Sequence, residues 1–225
     1  MKRIIILALF FITTNFCFSY GWEDVNSARF GIKAGFGFSR LTGLSRDSDG
    51  YFPGTYTPVS SMSAQLTPSW EIGLVLQTTF HKNIFFQSEL MYTKYGTKVK
   101  GAYLENYGYG KRIKAIELHG LKGTFNFGKK IGLGSTTCLA FGGGFYFSYN
   151  FIEDNIKLDV VGSDRSDADI NSLIYDFDIG PTALAAVESG RIQVGLNFAY
   201  GLMNVVDGYS RSKNIELKLG AIYFF

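Results

Sequence analysis

Residues Leu139 to Phe151 read LAFGGGFYFSYNF, and every second position except Gly143 carries a large apolar or aromatic side chain. The positions between them hold alanine, glycine, serine, tyrosine and asparagine. Successive side chains of a β-strand point to opposite sides, so this alternation is typical of a strand with two unlike faces. The stretch therefore predicts a strand with one apolar face and one small or polar face.

The same period of two recurs along the chain and predicts eight strands, at approximately 29–40, 70–80, 84–98, 112–127, 131–151, 173–188, 191–204 and 214–225. Within the fourth strand the apolar phase changes, and we predict a β-bulge near Gly120. Short turns at 81–83, 128–130 and 189–190 alternate with longer polar connections at 41–69, 99–111, 152–172 and 205–213. Short turns at one rim and long loops at the other are typical of bacterial outer-membrane barrels.

The predicted fold is an all-β, eight-stranded, antiparallel, up-and-down transmembrane β-barrel with short periplasmic turns and long extracellular loops. The apolar face is large and aromatic on every strand, which suits contact with lipid, whereas the other face is small and polar. Closure is required because an open strand edge in hydrocarbon would leave backbone groups unsatisfied. A soluble, lipocalin-type barrel is the alternative, and it would instead keep an apolar lumen.

The first 19 residues are predicted to be a cleaved signal peptide, with Lys2 and Arg3 ahead of an apolar run that is too short to span a membrane. Residues 20–225 then form one barrel domain. Without the signal, 20 Lys and Arg face 19 Asp and Glu, so charge gives no support for nucleic-acid binding. Cys138 is then the single cysteine, which excludes an internal disulfide in the exported chain.

The phase assignment places a set of charged residues inside the predicted barrel, where charges must pair or stay hydrated. We interpret them as an ion-pair plug, because an eight-stranded barrel has room inside only for side chains. A narrow polar pathway or proton-coupled gate is the alternative. The predicted interior residues are Lys33, Glu71, Glu89, Glu117, His119, Lys122, Asp176, Asp178, Glu216 and Lys218.

No catalytic, cofactor or metal site is predicted. Glu117 and His119 share a strand face and form a candidate acid–base pair, but the other histidine, His81, lies in a predicted turn. Asp164, Asp167 and Asp169 resemble an acidic calcium loop without EF-hand spacing, and a solvated loop is favoured. The long loops, rich in tyrosine, are candidate surfaces for an extracellular protein or glycan.

Five segments carry a family resemblance. They are FGIKAGFGFS at 30–39, FQSELMYTKYG at 86–96, IEL at 116–118, YGLMNV at 200–205 and LGAIYFF at 219–225. In their order and spacing the chain resembles the Bacteroidetes-type outer-membrane β-barrel domain family, often called PorT-like. It departs from that pattern at His119, where the family usually has proline, and at Asn197, where an inward arginine is common. The resemblance implies a barrel in the outer membrane and no single activity.

The chain ends on a strand whose outward phase holds Leu219, Tyr223 and Phe225. We interpret these three residues as the terminal signal read by the barrel-assembly machinery, with an ordinary final strand as the alternative. The predicted partners are therefore outer-membrane lipid, that machinery during biogenesis, and an extracellular protein or glycan, but not nucleic acid. For function, a non-enzymatic structural or interaction barrel is favoured over a small porin and over a membrane-embedded enzyme.

Overall fold

Eight long strands form the wall of the molecule in a computed structural model that describes residues 25–43, 50–51, 58–59, 63–100, 103–106, 109–151, 156–161, 175–205 and 212–225. The predicted signal peptide and the acidic triplet Asp164, Asp167 and Asp169 lie outside these residues. The wall strands are β1 (Val25–Leu41), β2 (Thr67–Phe80), β3 (Ile84–Lys100), β4 (Tyr109–Gly132), β5 (Thr137–Phe151), β6 (Phe177–Ser189), β7 (Ile192–Tyr200) and β8 (Asn214–Phe224).

Each wall strand pairs with the next in an antiparallel sense, and the first and last strands close the ring. The closing pair, β1 with β8, runs without a register shift from Gly31 opposite Phe224 to Leu41 opposite Asn214. No sheet edge therefore remains open in the wall, as hydrocarbon requires. The predicted eight-stranded antiparallel barrel is confirmed. No helix among the described residues is long and apolar enough to cross a membrane.

The connections differ at the two ends of the barrel. One end has a single turn of 3-10 helix, His81–Asn83, and the tight connections 133–136 and 190–191. At the other end, strand Tyr103–Asn106 and strand Ile156–Val161 both pair with the first part of β4, and strand Ser63–Gln65 pairs with the last part of β3. Two further short strands, Gly50–Tyr51 and Pro58–Val59, pair with each other. We call these ends the short-turn end and the long-connection end.

The two faces of the wall meet different environments. The outward residues Phe36, Phe145, Phe198 and Leu219 are 41–59% exposed, whereas Glu89 and Lys218 are only 2% exposed. The apolar faces therefore point outward and the ionic faces point into the lumen, as the alternation predicted.

Two predictions about β4 are wrong. A turn was expected at 128–130, but the strand continues to Gly132, and Lys130 points into the barrel. The bulge near Gly120 is absent, since β4 pairs with β3 in unbroken register from Lys129 to Ala115. Ile116 and Leu118 consequently lie on the inner face, where they are 1% and 0% exposed. The change in the sequence pattern reflects an apolar stretch of lumen and not a change of backbone phase.

Neighbouring glycines of β5 have different roles in the wall. A Cβ atom on Gly144 would overlap the backbone carbonyl oxygen of Phe125 on β4. A Cβ atom on Gly143 would point outward and meet nothing closer than the Thr182 oxygen at 3.5 Å. Close approach of two strands therefore requires glycine at 144 but not at 143.

Gly144→Ala is expected to lower the free energy of unfolding by about 1–3 kcal/mol, because the added methyl group forces β4 and β5 apart. Denaturant unfolding of the refolded protein in detergent, followed by gel mobility, measures the change. Gly143→Ala is the matched control and should behave like the parent. Equal behaviour of the two variants would contradict the assignment.

Candidate functional site

A cluster of buried lysine and glutamate side chains occupies the middle of the lumen. Lys33 Nζ on β1 lies 2.9 Å from Glu71 Oε1 on β2 and 2.7 Å from Glu89 Oε2 on β3. Lys218 Nζ on β8 lies 3.0 Å from Glu71 Oε2. One carboxylate thus joins two ammonium groups, and the three strands that carry them are neighbours in the wall.

The cluster continues around the lumen through Glu216 and Lys122. Glu216 Oε2 lies 2.5 Å from Lys218 Nζ and 3.1 Å from Lys122 Nζ on β4. Lys218 also donates to Thr93 Oγ1 (2.9 Å), and the Asn214 amide donates to Glu216 Oε1 (2.7 Å). Since amide and hydroxyl groups fill hydrogen-bonding positions that the charges leave open, the burial cost of each charge is offset.

A second layer closes the lumen at the short-turn end. Glu188 on β6 accepts from Arg29 Nη2 at 2.5 Å, and its other oxygen, Oε2, lies 2.9 Å from Lys130 Nζ. The Arg29 guanidinium stacks on the Phe224 ring at 4.2 Å and donates to the Gly190 carbonyl oxygen at 3.1 Å. The side chain of Arg29 therefore ties the first strand to the last strand and to the β6–β7 turn.

The two layers are joined by glutamine side chains. Lys130 donates to Gln77 Oε1 (2.7 Å), Gln77 donates to Gln87 Oε1 (2.9 Å), and Gln87 donates to Glu89 Oε1 (2.6 Å). Gln77 also reaches Gln193 on β7 at 3.1 Å. Together with the central cluster, these contacts form one continuous network. When the layer described next is included, the network contains side chains from all eight wall strands.

A third layer lies toward the long-connection end. Lys122 Nζ sits 4.5 Å above the Tyr146 ring, and the Tyr146 hydroxyl donates to Asp178 Oδ2 at 2.5 Å. The Tyr95 hydroxyl donates to Asn150 Oδ1 at 2.7 Å. Beside these rings the lumen is lined by the buried apolar residues Ile116 and Leu118. The polar network therefore ends against bulky aromatic and aliphatic side chains.

The charges of the described inward-facing strand residues balance. Five cations (Arg29, Lys33, Lys122, Lys130 and Lys218) share the lumen with five carboxylates (Glu71, Glu89, Asp178, Glu188 and Glu216). The central cluster leaves a cavity of about 20 Å³. That volume accommodates roughly one water molecule, since a water site needs at least about 10–15 Å³. The lumen is thus filled by its own side chains.

Seven of the ten residues predicted to lie inside the barrel are buried there: Lys33, Glu71, Glu89, Lys122, Asp178, Glu216 and Lys218. The prediction is wrong for Glu117 and His119, which lie on the outer face because β4 has no bulge. Asp176 was predicted within a strand but lies in the bend before β6, partly exposed.

Three residues of the network, Arg29, Lys130 and Glu188, are not among the predicted interior residues. Arg29 and Glu188 stood at the predicted ends of strands, and Lys130 was assigned to a turn. Lys130 is eight residues from Lys122, so a strand that continues through Lys130 places both side chains on the same face. This spacing is the sequence signal that predicts an inward Lys130.

Among the described side chains, the outer face carries few ionisable groups, and they mark the ends of the apolar band. Lys94 Nζ pairs with Glu117 Oε2 at 2.9 Å, and the Tyr92 hydroxyl lies 3.2 Å from His119 Nδ1. On β4 the next outward ionisable side chain after His119 is Lys129, ten residues further along. At about 3.3 Å per residue and a tilt of about 40°, ten residues span about 25 Å across the membrane. This matches the apolar band of an outer-membrane barrel.

Among the described residues, no three His, Cys, Asp or Glu side chains come together in a way that could hold a metal ion. Cys138, the free cysteine, is partly buried at the start of β5.

Lys33→Met is expected to lower the free energy of unfolding by about 3–5 kcal/mol, because it leaves the buried Glu89 carboxylate without its cation. Adding Glu89→Gln to this variant should recover a large part of the loss. Lys129→Met, at an exposed outer position, is the control and should change stability by less than about 0.5 kcal/mol. Denaturant unfolding checks all three variants, and similar losses at Lys33 and Lys129 would contradict the network.

Solved structures that match the chain include Ail of Yersinia pestis (12% identity, 88% of this chain and 99% of that chain, TM-score 0.40) and OprG of Pseudomonas aeruginosa (13%, 87% and 95%, 0.46). Neisserial surface protein A matches at 12% identity, over 89% of this chain and 100% of that chain, with a TM-score of 0.43. No curated protein matches the sequence. The sequence profile described as "Outer membrane protein beta-barrel domain" matches residues 16–207, and the chain belongs to that family of outer-membrane barrels.

Proposed function

We propose that this outer-membrane barrel is a non-enzymatic, non-conducting scaffold whose filled lumen holds the wall rigid and supports the long connections at one end. The observation that carries the proposal is the continuous network from Glu188 to Asp178. Salt bridges and hydrogen bonds in this network connect strands that are not neighbours in the wall, such as β1 with β3 and β4 with β8. Cross-links of this kind resist deformation of the barrel.

In this proposal the long connections face the outside of the cell and contact an extracellular protein or glycan. Short turns on the periplasmic side and long loops outside are the usual arrangement of such barrels. Export would depend on cleavage of the N-terminal 19 residues. The motifs at 30–39, 86–96 and 219–225 favour a place in the Bacteroidetes-type, PorT-like branch of the family.

The absence of enzymatic activity is part of the proposal. His119 was the candidate acid–base residue, with Glu117 on the same strand face. On the outer surface its neighbours are the aromatic rings of Tyr92, at 6.2 Å between ring centres, and of Phe151, its register partner on β5. Such surroundings support an interfacial packing role for His119 in place of proton transfer.

A small pore is the second candidate function, and conductance separates it from the scaffold. The parent protein in a planar bilayer is expected to show no steady single-channel steps, because side chains fill its lumen. Replacing Lys33, Glu71, Glu89 and Lys218 together by alanine keeps the charge balanced, empties the centre and should produce small steps. Gel mobility verifies that this variant is folded. Steady steps from the parent would contradict the scaffold and support the pore.

The terminal residues are proposed to guide assembly. The Phe225 ring stacks on Phe30 at 5.9 Å, and its backbone N–H donates to the Phe30 carbonyl oxygen at 2.9 Å, while 65% of the residue remains exposed. Tyr223 contacts the Phe225 ring at 5.7 Å between centroids, and Leu219 lies on the same outer face. A side chain so exposed can be recognised by another protein before the barrel closes.

Phe225→Ala is expected to reduce the amount of protein in the outer membrane several-fold while the purified, refolded barrel unfolds within about 1 kcal/mol of the parent. Cell fractionation and denaturant unfolding measure the two quantities. Leu196→Ala, an outward apolar residue 50% exposed on β7, is the matched control and should retain its membrane level. A stability loss that accounts for the reduced level would favour an ordinary final strand.

A further inference from the structure

Four outward side chains form a row across the wall near the long-connection end. Trp70 on β2 is the register partner of Lys94 on β3, Lys94 is the partner of His119 on β4, and His119 is the partner of Phe151 on β5. We call these four residues the outer row. A basic pair at its centre is thus flanked by an aromatic residue on each side.

Tyr92 holds the outer row together from one step nearer the membrane centre. Its ring lies 5.6 Å from Trp70, 6.2 Å from His119 and 6.4 Å from Phe151, measured between ring centres. Its hydroxyl lies 3.2 Å from His119 Nδ1. Tryptophan and tyrosine concentrate at the level of lipid headgroups, so this packing places the outer row at the membrane interface.

Near the outer row, the described side chains of the outer face carry more positive groups than negative groups. Glu117 is the one carboxylate on the outer face among the described side chains of the wall strands, and it pairs with Lys94. Lys98, four residues along β3 from Lys94, is exposed on the same face. Glu117 faces Gly96 in the register, midway between Lys94 and Lys98, so among the described side chains two ammonium groups flank one carboxylate. A cation at the interface attracts anionic headgroups.

Below the outer row the wall is apolar and exposed. Ile72 and Leu74 on β2 are 57% and 42% exposed, and they follow Trp70 toward the membrane centre. A molecule that contacts the outer row with an anionic group and the wall below with hydrocarbon is a membrane lipid. Lys94 can bind such a group without losing Glu117, because an ammonium has three donors.

We propose that the outer row is a binding site for a lipid with an anionic phosphate headgroup, in which Lys94 donates to the phosphate and the acyl chains lie along Ile72 and Leu74. Glu117 holds Lys94 in place and competes with the phosphate for its charge. The site depends on the membrane location of the barrel and is independent of whether the lumen conducts.

Native mass spectrometry of the full-length protein in detergent, titrated with short-chain phosphatidic acid, tests the proposal. Glu117→Gln should tighten binding about fivefold, because Lys94 loses its competitor, and Lys94→Gln should weaken it about fivefold. Lys129→Gln, an exposed cation at the other end of β4, is the control and should leave binding unchanged. Diacylglycerol of the same chain length, which lacks the phosphate, should bind at least fivefold more weakly to the parent.

The opposite signs of the two substitutions separate binding from structure. If Lys94 and Glu117 only stabilise the wall, Glu117→Gln and Lys94→Gln shift lipid binding in the same direction or not at all, and the proposal fails. Equal binding of diacylglycerol also overturns it. Inorganic phosphate that displaces the lipid at millimolar concentration, with the same pattern across the variants, would assign the site to a free anion and overturn the lipid assignment. A conducting parent protein would contradict the scaffold proposal but would not change any of these lipid-binding outcomes.

Discussion

The hydrogen-bonded pairing of β1 with β8 is the constraint on which the rest of the structure depends. Without it, both strands would present unpaired N–H and C=O groups to hydrocarbon, at several kcal/mol for each group. The pair is in register from Gly31 to Leu41, and Arg29, through its stacking on Phe224, extends the link beyond the paired residues. Closure is therefore reinforced where the first part of β1 meets the end of β8.

Closure of only eight strands determines what the lumen contains. Inward side chains from opposite walls come within contact distance, so a charged residue inside must find a partner on another strand. Lys33 illustrates this with its contacts to Glu71 and Glu89, and Lys122 with its contact to Glu216. A buried ion pair is weak evidence for added stability, but removal of one partner is costly. The network therefore contributes more to the selection of one arrangement of the strands than to the free energy of unfolding of the barrel.

The sequence was sufficient to predict the eight wall strands, their antiparallel order and the direction in which most side chains point, because period-two alternation is strong on most of these strands. It also placed Lys33, Glu89 and Lys218 correctly. It failed where a face changes environment along its length. Leu118 is apolar and faces inward, since the lumen at that level is lined by bulky side chains in place of ions. If every apolar side chain is assumed to point outward, the pattern requires a bulge near Gly120. The unbroken pairing of β4 with β3 excludes that bulge.

That single error in phase also concealed the outer surface of β4. In the observed register, Glu117 and His119 lie on the membrane side of the wall and not in the lumen. The outward side chains of β4 are then polar at His119, apolar or glycine at the next four outward positions, and polar again at Lys129. An ion pair exposed to hydrocarbon would be costly, so Lys94 and Glu117 fix the level at which the bilayer ends on this side of the barrel. The boundary then follows from physical chemistry alone: the strand can carry charge only where water or headgroups reach it, and the aromatic rings of Trp70 and Tyr92 lie at that same level.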